Sequence, residues 1–155
     1  MQQALEHHEL GELNDRLRDA PEANALLFQE VIDTACRRFP SLGQSAKTAR
    51  IEQLLQSAAW TDAALALIDL ELPLWQIRRI AYDEGEWHCA LSRQRELPDW
   101  LDQSIEAHHA DLALAILCAF VEARRVGAPS SRPSVPLVSP CADPLTEIVC
   151  SDNFA

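Results

Sequence analysis

The sequence lacks every short motif that marks a familiar chemical site. Its five cysteines include no C-x-x-C pair, and no G-x-S-x-G, P-loop, G-x-G-x-x-G or H-E-x-x-H motif occurs. These absences exclude the hydrolase, nucleotide-binding and metalloprotease classes that such motifs define. No run of 18 apolar residues is present either, which excludes a predicted membrane-spanning helix. A function must therefore be sought in the fold and not in a motif.

Basic residues are also scarce. The chain has 13 Lys and Arg against 24 Asp and Glu, giving a net charge of -11, and Lys47 is its one lysine. A negative surface repels phosphate, so general binding to nucleic acid or to an anionic membrane is disfavoured. We expect no membrane partner, and a nucleic-acid partner is disfavoured.

The cysteines indicate a reducing compartment. An odd number of cysteines without paired spacing predicts free thiols and not a disulfide framework. Cys36 and Cys118 lie inside apolar helical patterns, where a thiol packs as a small hydrophobe. The first nine residues are polar and acidic and lack the apolar core of a secretory signal. The expected localisation is cytoplasmic.

Apolar residues at helical spacing predict several helices in the first half of the chain. The first, over residues 4–19, has only a narrow stripe of Leu10, Leu13 and Leu17, which suits a peripheral helix or a helix packed against a partner. Further helices are predicted to begin at residues 19–22, at Ser45 and at Thr61, where caps or a first-turn proline occur. Residues 37–50 carry four basic side chains and no acid, so this basic patch is predicted to pair with the acidic first helix.

Residues 74–92 predict an antiparallel β-hairpin. Asp83-Glu84-Gly85 is a good turn because Gly85 can take the positive φ that the reversal requires. A strand before this turn must change phase at Arg78-Arg79, as a β-bulge does. Residues 74–82 also fit a helix, so both interpretations stay open there.

A two-residue loop in this hairpin would place Tyr82 opposite Trp87 and Ile80 opposite Cys89. These residues, with Leu91, would form one apolar face. Two strands alone are marginal in water, so helices must cover this face, or a homodimer could extend the sheet.

The last predicted element is a long buried helix over residues 104–125. Ile105, His109, Leu112 and Ile116 follow a rhythm of three or four. From Ala128 the composition becomes rich in Pro and Ser, which predicts a disordered tail over 128–155, with 145–150 as a candidate docking motif. The fold class is therefore α+β and predominantly helical, with one compact domain over residues 1–127.

Candidate catalytic residues are Cys89, His109 and Asp111, which could form a Cys-His-Asp arrangement. Cys89 is predicted to face the core, where burial raises the pKa of a thiol, so a packed cysteine is favoured. His88 and Cys89 point to opposite faces of a strand, so they cannot both bind one metal ion. No catalytic residue, metal site or cofactor is predicted, and a thiol- or metal-dependent enzyme centred on Cys89, His88 and His109 is the alternative.

Candidate binding residues are Arg78, Arg79, His88, Trp75 and Trp100. Arginines and aromatics on a sheet face are typical of single-strand nucleic-acid binding, the second alternative. Four acidic residues in the same segment cancel the positive charge of the arginines, which disfavours binding to nucleic acid. The leading prediction is a non-enzymatic protein-interaction or regulatory module, with a second copy or another protein as its partner.

Overall fold

The computed structural model describes residues 2–41, 45–93 and 104–127. It confirms the predicted α+β, predominantly helical class. No helix in these ranges is long and apolar enough to cross a membrane. The predicted tail over 128–155 and Trp100 lie outside the described residues. The elements, in chain order, are α1 (Gln2–Asp19), α2 (Ala25–Ala35), α3 (Arg38–Ser41), α4 (Ala46–Gln56), α5 (Trp60–Glu71), β1 (Gln76–Asp83), β2 (Glu86–Ser92), β3 (Ser104–His109) and α6 (Leu112–Gly127).

Helix α6 is the centre of the molecule. Every side chain from Ala113 to Val121 is buried. The helix packs against β2 and β3 on one side and against α1 and α5 elsewhere. The narrow stripe of α1 is used inside the chain, because Leu10, Leu13 and Leu17 are all buried and α1 packs on α6 and α2.

The hairpin forms as predicted, and residues 76–83 are strand rather than helix. Strands β1 and β2 are antiparallel, with Tyr82 opposite Trp87 and Ile80 opposite Cys89. Glu84 and Gly85 form the two-residue loop with φ of 51° and 88°, and two positive φ values suit the right-handed twist of the strands. The pairing register shifts at Arg78, which is the predicted bulge.

The prediction of one helix over residues 104–125 is wrong in its first part. Residues 104–109 form strand β3, which pairs antiparallel with β2, and the helix begins only at Leu112. The error has a geometric cause, because residues four apart share a face in a strand as well as in a helix. Ile105 and His109 therefore fit both patterns. The sheet order is β1-β2-β3, so β3 fills the edge of β2 that a second copy could have taken.

Two of the predicted helix starts are also corrected. The Asn24 side chain accepts the backbone N–H of Leu27 at 3.0 Å, so α2 begins after Asn24 and not at residues 19–22. An Asn side chain at this position satisfies a helical donor that is otherwise unpaired. Helix α5 begins at Trp60 without a side-chain cap, so Thr61 does not cap it. Ser45 caps α4 as predicted, in a reciprocal capping box with Thr48.

The buried carboxylate of Glu71 fixes the end of α5 to the start of α3. Its Oε1 accepts the backbone N–H groups of Arg37 and Arg38 at 2.8 and 3.0 Å, and its Oε2 accepts that of Phe39. These donors have no helical partner at the N-terminus of α3, and a negative charge is favourable there. Sequence patterns gave no sign of this contact, which joins residues more than 30 positions apart.

The basic patch pairs with two different helices. Arg37 forms an ion pair with Glu6 of α1, as predicted. Lys47 instead lies 3.7 Å from Asp69 of α5, because α4 packs against α5. Both pairs are exposed and contribute little to stability.

Alanine at Gly85 and alanine at Gly11 should change stability in opposite directions. Gly85→Ala should lower the free energy of unfolding by about 1–2 kcal/mol, because alanine is strained at a positive φ. Gly11→Ala should raise it by about 0.5–1 kcal/mol, because α1 favours alanine and a Cβ there meets nothing within 4 Å. Urea unfolding measures both. A Gly85→Ala protein as stable as the wild type or more stable would contradict the assigned hairpin turn.

Candidate functional site

The apolar side of the hairpin is covered over β2 but not over β1. Cys89 and Leu91 of β2 are fully buried beneath α6, whereas Ile80 and Tyr82 of β1 are 37% and 60% exposed. Among the elements in the described ranges, β1 packs substantially only against β2. The ring of Tyr82 lies against that of Trp87, with centroids 5.0 Å apart and planes tilted by 58°. Ile80, Tyr82 and Trp87 thus form an apolar surface, here called the β1 patch.

The backbone beside this patch is also open to a partner. In a two-residue hairpin the residues flanking the loop exchange both hydrogen bonds, and bonded and non-bonded pairs then alternate. Asp83 flanks the loop and pairs with Glu86, so Asp83, Ala81 and Arg79 bond to β2. The N–H and C=O groups of Ile80 and Tyr82 therefore point to the other edge of β1. Of the described residues, none pairs with that edge.

The opposite face of the sheet is polar and carries two histidine–glutamate pairs. The rings of His88 and His108 are neighbours, with centroids 5.5 Å apart. His108 Nδ1 lies 3.2 Å from Glu86 Oε2, and His88 Nδ1 lies 3.8 Å from Glu106 Oε1. Each imidazole is thus directed at a separate carboxylate. No group of three His, Cys, Asp or Glu in the described parts of the chain could hold a metal ion.

Two of the predicted binding residues lie beside these pairs. Arg78 and Arg79 are exposed and line a shallow cleft of about 320 Å³ together with Glu106. His88 lies on the same face of the sheet but does not line this cleft, so the structure brings together only the two arginines. Trp75 is instead buried in the core, and Trp100 lies outside the described residues. The arginines and Trp75, proposed to bind single-stranded nucleic acid together, therefore do not share a surface. The arginines line the cleft, whereas Trp75 lies in the core.

Cys89 is a packed thiol. It is fully buried between the sheet and α6, and this burial, with the charge of Glu106, raises the pKa of its thiol to about 11. A thiol with such a pKa holds little thiolate near neutrality and is a poor nucleophile. His88 is on the other face of β2, so these two neighbours cannot act together.

His109 and Asp111 have structural partners. His109 is buried, and its Nδ1 accepts the backbone N–H of Asp111 at 2.9 Å. The carboxylate of Asp111 caps α6 by accepting the N–H of Leu114 at 3.1 Å, and it also accepts the N–H of Ala23 at 3.3 Å. The predicted Cys-His-Asp residues are thus near each other in the fold. The ring nitrogen and the carboxylate oxygens, however, bind backbone groups.

Sequence reasoning missed two residues of this region, Glu86 and Glu106, and it did not place His108 on the polar face of a sheet. Their signal is the alternation in Ser104-Ile105-Glu106-Ala107-His108-His109, which places Glu106 and His108 on one face and Ile105 and His109 on the other. A helical interpretation of the same stretch hides that alternation. The alternation of β2 places Glu86 on the face of His88, but its partner His108 could not be known without β3.

The chain matches no protein-family model, no curated protein and no solved structure. Its function must therefore be argued from the β1 patch and the side chains described above.

Cys89 should be inert to thiol reagents in the native protein. With a pKa of about 11, roughly one Cys89 thiol in a thousand is ionised at pH 8, against roughly a quarter for an unfolded cysteine. Alkylation of Cys89 by iodoacetamide, followed by peptide mass spectrometry, should be at least about 100-fold slower than in guanidinium. Labelling at a rate close to that of the unfolded chain would support the enzymatic alternative.

Proposed function

We propose that this protein is a non-enzymatic protein-interaction module that binds its partner through the free edge of β1. The single observation behind the proposal is that β1 has exposed apolar side chains beside an outer backbone edge with which no described residue pairs. Ile80 and Tyr82 carry both features, because their backbone groups point outward and their side chains are exposed. Open strand edges with apolar side chains are the places where proteins add a further strand.

A partner strand at this edge would add backbone hydrogen bonds and cross-strand side-chain contacts. Each backbone hydrogen bond that a partner strand adds contributes about 1 kcal/mol net. Each cross-strand side-chain pair adds about 0.2–1 kcal/mol, with aromatic and β-branched residues at the upper end. Ile80 and Tyr82 are residues of these two types. The backbone edge and the β1 patch would thus bind the same ligand, an extended strand.

The enzymatic alternative receives less support. Cys89, His88 and His109 lie in three different environments: the core, the polar face, and a backbone hydrogen bond next to the start of α6. The nucleic-acid alternative is weakened by Glu106, which lies beside Arg78 and Arg79. Binding of a strand at the edge of β1 requires neither a nucleophilic side chain nor a positively charged surface.

Site-specific photocrosslinking tests this function. A benzophenone amino acid at position 82 should crosslink the protein to a partner in a cell extract. The matched control carries the same group at Leu26, a residue of helix α2 that is 78% exposed and lies outside the sheet. Position 82 should give at least about tenfold more specific product than position 26.

The variant Ile80→Pro decides whether the product depends on the edge. Proline removes the outward N–H of residue 80 but no hydrogen bond to β2, so the hairpin should keep its circular dichroism. Crosslinking from position 82 should then fall to the level of position 26. If it persists in a folded Ile80→Pro protein, or if both positions crosslink equally, the β1 edge is not the binding surface. If Ile80→Pro unfolds, Tyr82→Thr takes its place, and its binding to the identified partner is measured by pull-down.

A further inference from the structure

The sequence of β1 is complementary to itself when it is read in the antiparallel direction. The segment Arg79-Ile80-Ala81-Tyr82-Asp83 has Ala81 at its centre, isoleucine and tyrosine on either side, and a cation and an anion at its ends. Antiparallel pairing of two such segments about Ala81 places Arg79 opposite Asp83 of the other copy. It also places Ile80 opposite Tyr82. Both ends therefore pair opposite charges.

The backbone geometry agrees with this register. In a register centred on Ala81, the residues that exchange hydrogen bonds between copies are Ile80 and Tyr82, whose groups point to the free edge. Ala81 lies opposite Ala81 of the second copy in a non-bonded pair, where the small side chain suits the closer approach of the two strands. The register therefore uses every outward group of this segment and disturbs no bond to β2.

Neighbouring registers lose the charge pairing. A register centred on Ile80 places Arg79 opposite Ala81 and Tyr82 opposite the bulge residue Arg78. One centred on Tyr82 places Asp83 opposite Ala81 and Ile80 opposite Glu84 of the turn. A register centred on Arg79 places two arginines opposite each other, which is destabilising. Among the registers centred on a residue of this segment, only the Ala81 register pairs unlike charges at both ends. Registers centred between two residues place an outward-bonding residue opposite one that bonds to β2, so their backbone groups do not match.

We propose that the partner of the β1 edge is a second copy of this chain, paired about Ala81 to form a continuous six-stranded antiparallel sheet. The inference rests on the proposed function, since it names the strand that the edge binds. The two copies are related by a two-fold axis between the two Ala81 residues, as in most homodimers. Their α6 helices lie on the same side of the sheet, so the two β1 patches join into one apolar strip.

Charge reversal tests the register directly. Arg79→Asp and Asp83→Arg each place two like-charged pairs across the interface. Sedimentation velocity over a range of concentrations should show dimer dissociation at least about tenfold stronger for each variant. The double variant Arg79→Asp/Asp83→Arg restores both pairs and should return to within about threefold of the wild type. Asp15→Arg of α1, with the same change in net charge as Asp83→Arg, is the matched control and should not change the dimer.

A disulfide gives a second, independent measurement. Ala81→Cys, with Cys141 and Cys150 replaced by Ser, should form a covalent dimer when oxidised by diamide. The two Cβ atoms at position 81 would lie about 4.5–5.5 Å apart in the Ala81 register, close to disulfide geometry. Asp15→Cys in the same background should stay largely monomeric.

The outcomes separate this inference from the proposed function. A monomer at all concentrations, or a dimer that the double variant does not rescue, overturns self-pairing about Ala81. If position 82 then still crosslinks another protein in a manner that Ile80→Pro abolishes, the β1 edge binds a different strand and the proposed function stands. If position 82 gives no edge-dependent crosslink either, both are wrong.

Discussion

Helix α6 is about 10 Å wide with its side chains, and the strands of a sheet lie about 4.8 Å apart. One helix therefore covers two strands and leaves a third uncovered. In this protein α6 lies against β2 and β3, and its own far sides are occupied by α1 and α5. Cys89 and Leu91 are buried as a result, whereas Ile80 and Tyr82 stay exposed on the same side of the same sheet. The exposed apolar side of β1 thus follows from how this core is filled, and its position at the edge follows from the strand order.

The same constraint separates the reactive side chains. Residues of β2 alternate between the α6 side and the polar side, so Cys89 is enclosed and His88 is not. Asp111 and His109 hold the junction between β3 and α6 through backbone hydrogen bonds. The polar face has paired histidines and glutamates, whose opposite charges compensate when the imidazoles are protonated. On β1, by contrast, the side chains of Ile80 and Tyr82 are exposed, and the outer backbone edge pairs with none of the described residues.

Local signals in the sequence were sufficient for the hairpin. Gly85, the alternation from Trp87 to Leu91 and the phase change at Arg78 determine a turn, a face and a bulge, and all three are found. Strand β3 was missed because spacing by four does not distinguish a strand from a helix. Long-range contacts such as Glu71 with the start of α3 leave no local pattern at all. The exposure of β1 could not be predicted, because it depends on which strands α6 covers and not on β1 itself.

Amide hydrogen exchange of β1 tests most directly whether its edge pairs with a second copy. NMR should show the N–H groups of Ile80 and Tyr82 exchanging more slowly as the protein concentration rises through the dimer dissociation constant. The N–H of Ala81, bonded to β2, should be protected at every concentration and serves as the internal reference. Equal exchange of Ile80 and Tyr82 at low and high concentration would contradict pairing at this edge.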